Sequence, residues 1–417
     1  MTEDGLRATL DAIWRIESPK LIATLSRLVR DVGRAEELAQ DAFVYALTQW
    51  PDEGIPRNPG AWLMTAAKRR AIDQIRRDQT LARKSEELGY ELSAYEFKPY
   101  FATALDDIDD DLLRLMFVAC HPVLSKDARV ALTLKLLGGL TTVEIARAFL
   151  TSETAMAQRI VRAKRTLSEA HVPFEVPAGP ERVQRLSSIL EAIYLLFNEG
   201  YAATAGDDVL RPELVEDALR LGRMLAGLMP QEAEVHGLAA LMEIQASRMR
   251  ARVGESGEPI LLLDQDRGKW NRLLIQRGLD ALARAENLAG SLGPYTLQAA
   301  IAACHARAAT NAQTDWVRIT ALYDALTQLV PTPVVELNRA VAVGMAFGPQ
   351  AGLDIVDALL DEPALKGYHL LRSVRGDLLF KLERMTDAGA EFERAASLAQ
   401  NARDRAFLLG RAAVCRK

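Results

Sequence analysis

The chain has 417 residues, 49% apolar and 26% charged, with a net charge of −5. That length exceeds one ordinary core and calls for two to four folded domains, while the composition excludes a largely disordered chain. Its three cysteines, Cys120, Cys304 and Cys415, stand far apart with no CxxC spacing, which argues against a disulfide framework or a zinc cluster and suits a reducing cytoplasm.

The amino-terminal stretch MTEDGLRATLDAIWRIE is charged throughout and lacks a signal-peptide core. No segment reaches the apolar length of a membrane helix. Residues 9–30 carry apolar side chains at helical spacing, as a helix pair or one bent helix interrupted near Ser18 and Pro19. Arg34–Trp50 places Ala35, Leu38, Ala39, Ala42, Phe43, Ala46, Leu47 and Trp50 on a continuous i, i+3, i+4 stripe, the mark of a core face. The opposite face holds Glu36, Glu37, Gln40, Asp41 and Val44, either a solvated acidic surface or a patch for a basic partner. Pro51–Pro59, with three prolines and a glycine, predicts the end of that helix.

Gly60–Arg77 returns to helical spacing. Leu63, Met64, Ala67, Ala71 and Ile75 lie on one arc, and Trp62, Thr65, Arg69 and Arg76 on the other. Lys68, Arg69, Arg70, Arg76 and Arg77 oppose a single acid, Asp73. Tryptophan beside arginines suits single-stranded nucleic acid, the ring stacking on a base while the cations follow the backbone; a tryptophan at a helix start equally serves a core. From Glu86 to Asp111 the sign reverses into an acidic linker. Its run DDIDDD is similar to the magnesium-binding aspartate motifs of helical isoprenoid enzymes, but no second acidic cluster follows, and the run reads as solvated. Leu112–Leu137 supplies helices to pack beneath what comes next.

Leu140–Leu167 reads as a helix-turn-helix. Gly138 and Gly139 break the preceding helix, Thr141 and Glu144 have capping-box spacing, and Leu150-Thr151-Ser152 makes a turn with Ser152 as the next N-cap. On the second helix Met156, Ile160, Ala163 and Leu167 share one side. Thr154, Ala155, Gln158, Arg162 and Arg165 share the other, flanked by Arg159. A packed face opposite a basic one, with small and amide side chains near the helix start, suits a major groove; the bland alternative is a solvated basic helix.

Over residues 1 to about 172 these motifs, in this order, resemble a bacterial RNA polymerase sigma factor of the sigma-70 family, extracytoplasmic-function group. AEELAQDAFVYAL looks like the region that docks on the β′ clamp of core RNA polymerase, and the resemblance gives that role to Glu37, Gln40, Asp41 and Val44. AWLMTAAKRRAIDQIRR looks like the region for the −10 element, with Trp62, Leu63, Ala67, Asp73, Arg76 and Arg77 matching and Arg69 where the family usually has asparagine. The helix from Ala155 resembles the −35 reader: Arg159, Arg162 and Ala163 match, whereas Ala155 and Gln158 replace the usual threonine and serine. The implied DNA-binding set is Trp62, Lys68, Arg69, Asp73, Arg76, Arg77, Thr154, Ala155, Gln158, Arg159, Arg162 and Arg165. The implied partners are core polymerase, through β′ clamp and β flap, and promoter DNA, in a cytoplasmic, nucleoid-associated protein without catalytic residues, cofactor, metal or membrane contact.

Pro173, Pro177 and Pro180 mark a boundary, after which alanine- and leucine-rich helices continue to the end. LLFNEGY at Leu195–Tyr201 and LLLDQDRGKW at Leu261–Trp270 stand out. Their Asn198, Glu199, Asp264, Asp266 and Arg267 either form a site or make structural hydrogen bonds. Gly376–Ala395 resembles a tetratricopeptide repeat (TPR), and a second unit is expected around Val334–Leu359, with Ala351, Ile355 and Ala358 in the corresponding places and Arg339 where glycine is usual. Stacked pairs would form a solenoid with a concave face for a protein or peptide regulator. Sigma factors with such an extension form a subgroup, and LLFNEGY and DQDR look like its signatures.

The expectation is therefore all-α. Region 2 occupies 1–80, an acidic linker 81–107, a helix-turn-helix region 4 108–172, and a TPR-like solenoid 173–417. Two competitors are a helix-turn-helix regulator with a sensing TPR domain that does not bind polymerase, and a helical enzyme using the aspartate run or Asn198 and Glu199. The five histidines, His121, His171, His236, His305 and His369, are too scattered to suggest a metal site or a base.

Overall fold

The structure, a computed structural model, describes residues 3–87, 107–149, 151–201, 210–254, 259–399 and 402–416. Among them are eighteen α-helices and no β-strand, as the sequence led us to expect. The chain divides into two compact units, residues 1–193 and 194–417. Most of the acidic linker, and Leu150 in the turn, lie outside the described residues.

The first unit contains α1 (Glu3–Val29), α2 (Val32–Glu53), α3 (Pro59–Glu87), α4 (Asp107–Ala119), α5 (Lys126–Leu136), α6 (Thr142–Ala148), α7 (Glu153–Glu169) and the first part of α8 (Gly179–Tyr201). α1 is a single helix with Pro19 inside it, not a pair. Proline has no N–H for the Arg15 carbonyl four residues back, and the turn after α5 crosses α1 at that point. A Cβ on Gly139 (φ +69°) would stand 3.1 Å from Arg15 Cα. Only glycine provides both the left-handed backbone and the close approach.

α2 also runs further than its prolines suggest, through Pro51 to Glu53, where Gly54 caps it by donating its N–H to the Trp50 carbonyl. The carbonyl that Pro51 leaves without a partner is that of Leu47, a residue 41% exposed, where water can serve it. α1 through α3 pack mutually, and α4 and α5 lie against α1 and α7. Asp111, the last of the aspartate run, is fully buried and accepts from Arg27 at 3.0 Å and Arg114 at 2.7 Å, tying α4 to α1. Asp109 and Asp110 are exposed. The run thus divides between a structural anchor and a solvated edge. The start of α8 belongs to the same unit: Arg185 donates to the Phe117 carbonyl at 2.9 Å, and Glu191 pairs with Lys126 and Arg129.

The second unit holds the end of α8, α9 (Pro212–Leu228), α10 (Ala233–Ala246), α11 (Arg272–Leu288), α12 (Pro294–Arg307), α13 (Trp316–Leu329), α14 (Pro333–Phe347), α15 (Pro349–Ala358), α16 (His369–Lys381), α17 (Met385–Leu398) and α18 (Ala402–Val414). From α12 onward each helix packs on the next, the arrangement of a solenoid. In the α16–α17 hairpin Gly376 faces the Phe392 ring, where a Cβ would stand 2.9 Å from Cε1, and Ala388, Phe392 and Ala395 are buried as the repeat pattern requires.

The α14–α15 hairpin departs from the expected register by one position. Gly352, Leu353 and Val356 are the buried positions, whereas Ile355 packs half-buried against the same core, Ala351 is half-buried and Ala358 is exposed. The helices touch through Gly344 and Gly352, whose Cβ would meet Gly344 Cα at 2.9 Å. Arg339 makes no helix contact of the glycine kind; it bridges Asp324 at 2.6 Å and Glu336 at 2.8 Å.

Candidate nucleic-acid interface

The helix-turn-helix is built by its caps. The Thr141 hydroxyl accepts from the Glu144 amide at 3.2 Å, and the Glu144 carboxylate accepts from the Thr141 amide at 2.7 Å. Burial raises the Glu144 pKa, but the Thr141 donors and the Arg15 guanidinium from α1 outweigh it and hold the carboxyl below its usual 4.5. Ser152 then caps α7, its hydroxyl accepting from Ala155 at 3.2 Å, with Glu153 against the positive end of the helix dipole.

On α7, Met156, Ile160, Ala163 and Leu167 are buried. Thr154, Ala155, Gln158, Arg162 and Arg165 are exposed, and Arg159 is half-buried within 4.0 Å of Asp127. Lys164 is not on this open face. It reaches across to α2 and pairs with Glu36, which Lys135 of α5 approaches at 3.5 Å. This corrects the sequence-based picture of α2: Glu36 is 2% exposed and belongs to the interior, not to the acidic surface. Its place three residues before Ala39 and seven before Phe43, beside the core stripe, was the available signal.

The rest of that face has two characters. Glu37, Asp41 and Val44 are exposed, whereas Gln40 is half-buried and donates to Glu36 at 2.7 Å. Asp41 lies 3.5 Å from Arg70 of α3. Along α3, Leu63, Ala67 and Ala71 are buried, and Lys68, Arg69, Asp73, Arg76 and Arg77 are exposed. Trp62 is half-buried, stacked on Tyr45 with 5.7 Å between centroids and edge-on to the buried Trp50 at 5.3 Å. A cleft of about 880 Å³ lies between the α1–α2 corner and the end of α7, lined by Arg27, Arg30, Lys164 and His171 among others.

In the second unit Asn198, Glu199, Asp264, Asp266 and Arg267 do not form one site. Glu199 pairs with Arg211 at 2.6 Å, and Asp266 accepts from its own Gly268 amide at 2.8 Å. Arg267 donates to the His305 and Ala308 carbonyls and to Asn311 and Thr314 side chains, pinning the loop after α12. What does converge is Tyr201 of one unusual string and Trp270 of the other, with Arg248 and Arg252, which belong to no motif. Among the described residues no group of three or more His, Cys, Asp or Glu is placed to hold a metal ion. No helix among them is long and apolar enough to cross a membrane.

The fold defines a helix-turn-helix protein whose amino-terminal helical module carries a second basic helix and whose carboxyl-terminal half is a helical extension. The family model for sigma-70 region 2 matches residues 13–80, that for sigma-70 region 4 matches 114–167, and a family of unknown function, DUF6596, matches 185–286. The chain belongs to the sigma-70 family, in its extracytoplasmic-function (ECF) group, with a DUF6596 domain in its carboxyl-terminal extension. An uncharacterized protein of Rhizobium meliloti is 44% identical over 393 residues, covering 94% of this chain and 92% of that protein. The probable ECF RNA polymerase sigma factor SigI of Mycobacterium tuberculosis is 26% identical over 178 residues, 42% of this chain and 59% of SigI. The ECF RNA polymerase sigma factor SigK of Mycobacterium ulcerans is 26% identical over 153 residues, 36% of this chain and 78% of SigK. No solved structure matches the chain.

Proposed function

We propose that this sigma factor binds core RNA polymerase and directs promoter-specific initiation, α3 engaging the melted −10 element and α7 reading the −35 element. The observation that carries this reading is the pair of exposed basic faces on one compact unit: Lys68, Arg69, Arg76 and Arg77 on α3, and Arg162 and Arg165 on α7. Neighbouring α2 presents Glu37, Asp41 and Val44 as the polymerase-facing patch, with Gln40 positioned through Glu36. The chain supplies specificity and no catalysis. Strand opening is driven by holding unpaired −10 bases better than paired ones, and the phosphate contacts make binding fall steeply with salt.

Two elements 25 base pairs apart are separated by roughly 85 Å of duplex at 3.4 Å per base pair. On the promoter, α3 and α7 therefore part company, and the Lys164–Glu36 contact opens. The extension acts on that step as the regulatory domain, its TPR-like face taking a protein or peptide, and the setting is the bacterial cytoplasm.

Run-off transcription with core polymerase tests the roles. Asp41→Arg is expected to weaken core capture while sparing DNA affinity, and Arg162→Ala to do the reverse; wild-type transcription from both variants would falsify the assignment. Copurification of core polymerase separates this reading from a duplex-binding regulator. The extension's role is tested by comparing the full chain with one ending at Ile193. A cut at 172 would strip Arg185 and Glu191 from α4 and α5.

A further inference from the structure

The described part of the connection between α10 and α11 gathers three arginines around two aromatic rings. Arg248, just past the end of α10, donates to the Tyr201 hydroxyl at 2.6 Å and to Gln245, and its guanidinium lies 5.8 Å from the Trp270 ring centroid. Arg252 stacks on Tyr201 with its guanidinium carbon 3.7 Å from the ring centroid. Arg267 covers Trp270 at 5.1 Å. Elsewhere in this unit, half-buried arginines such as Arg211, Arg372 and Arg375 have carboxylates within 3.3 Å. None of the described carboxylates comes within ion-pair distance of Arg248, Arg252 or Arg267.

Two buried N–H donors in the cluster are met by no acceptor. The Trp270 indole, 3% exposed, has no acceptor for its N–H, and Arg267 Nε is likewise unmatched. Burial, the Arg252 charge and the neighbouring arginines push Arg248 and His305 toward their neutral forms, His305 to about 4, although the Tyr201 hydroxyl partly offsets this for Arg248. Withdrawing cations from water without a counter-charge is expensive, and an unmatched buried donor adds to the cost. A protein keeps such an arrangement where an anion completes it.

We propose that Arg248, Arg252 and the Trp270 N–H form a binding site for a phosphate-bearing small molecule in the sigma factor's extension. Arg252, held by stacking on Tyr201, keeps its N–H edge for paired hydrogen bonds to phosphate oxygens, and Arg248, whose Nη2 serves Tyr201 and Gln245, adds its remaining donors. The ligand then supplies a charge that none of the described carboxylates brings to the cluster. This site is independent of the promoter and polymerase roles assigned to the first unit, so failure of either leaves the other standing.

Calorimetric titration of the full chain with inorganic phosphate, with a nucleoside triphosphate and with citrate tests it. Saturable binding of phosphate or nucleotide, weakened roughly tenfold or more by Arg252→Gln, is the expected result, tenfold being the scale of one lost charge-assisted hydrogen bond. Tighter binding of the nucleotide identifies a phosphorylated metabolite; equal binding identifies free phosphate. Arg252 is half-buried at the edge of the cluster, so its replacement spares the fold; Arg248→Met, checked by circular dichroism, supplies a second variant expected to weaken binding to the same degree. Citrate binding as tightly as phosphate, no saturable binding of either phosphate ligand, or affinity unchanged in both variants would each overturn the site.

Discussion

Each unit of this protein buries a charge cluster, and the two are opposites. In the first, the Glu36 carboxylate, 2% exposed, sits between Lys135 and Lys164, so three helices, α2, α5 and α7, share one ion-paired contact. In the second, Arg248, Arg252 and Arg267 crowd around two aromatic rings, and none of the described carboxylates lies within ion-pair distance of them. The first cluster is completed by the chain itself and holds the unit together. The second, with none of the described carboxylates against it, is a cost to the unliganded fold that a bound anion would offset.

That contrast predicts opposite signs for charge removal. The largest effect is expected from Glu36→Ala, which leaves two lysines facing each other and should cost the first unit about 3 kcal/mol in denaturant unfolding. A loss below about 1 kcal/mol would mean that water already screens the cluster. Arg248→Met should go the other way without ligand, raising the stability of the extension by about 1–2 kcal/mol, because the methionine is readily buried and Tyr201 and Gln245 keep their own 3.0 Å hydrogen bond. Marked destabilisation by this change would show that the arginine is already balanced.

A pH-dependent effect belongs to His305, 8% exposed, whose pKa is pushed down by burial and by Arg248 and Arg267 from 6.5 to about 4. A histidine kept neutral when folded takes up a proton more readily when unfolded. Stability should therefore be intact above pH 6.5 and decline as the pH falls toward 4, by at most roughly 1.4 kcal/mol per pH unit. His305→Gln should flatten that slope; an unchanged pH profile of unfolding would sink the assignment. The smallest effect is expected at the helix-turn-helix entry. Glu144→Gln keeps the shape of the capping box but loses its charge, and the cost should be under about 1 kcal/mol. With a carboxyl pKa held below 4.5, the wild-type advantage should be present above that pH and vanish on acidification through the lower folded value.

Local features were legible without coordinates. The Thr141–Glu144 box, the Ser152 cap and the inward row Met156, Ile160, Ala163 and Leu167 each depend on residues close in sequence, where helix periodicity and cap chemistry fix the geometry. Prolines misled in both directions of α1 and α2, because a helix with packed neighbours tolerates one lost hydrogen bond that an isolated helix would not. The α14–α15 register was off by one because two hairpins can pack through glycines at different turns. Glu36 and Arg248 were beyond reach for a related reason: their partners lie in other helices, tens of residues away.

Amino-acid order alone thus determined the all-helical class, the helix-turn-helix, the two basic faces and the family, since all of these are written within a turn or two of helix. Tertiary structure alone decided which charges are inside. Whether a glutamate or arginine is solvated, paired or stranded depends on what long-range packing brings against it, and in this protein that packing gave Glu36 two lysines and brought Arg248 against aromatic rings, with none of the described carboxylates in ion-pair distance.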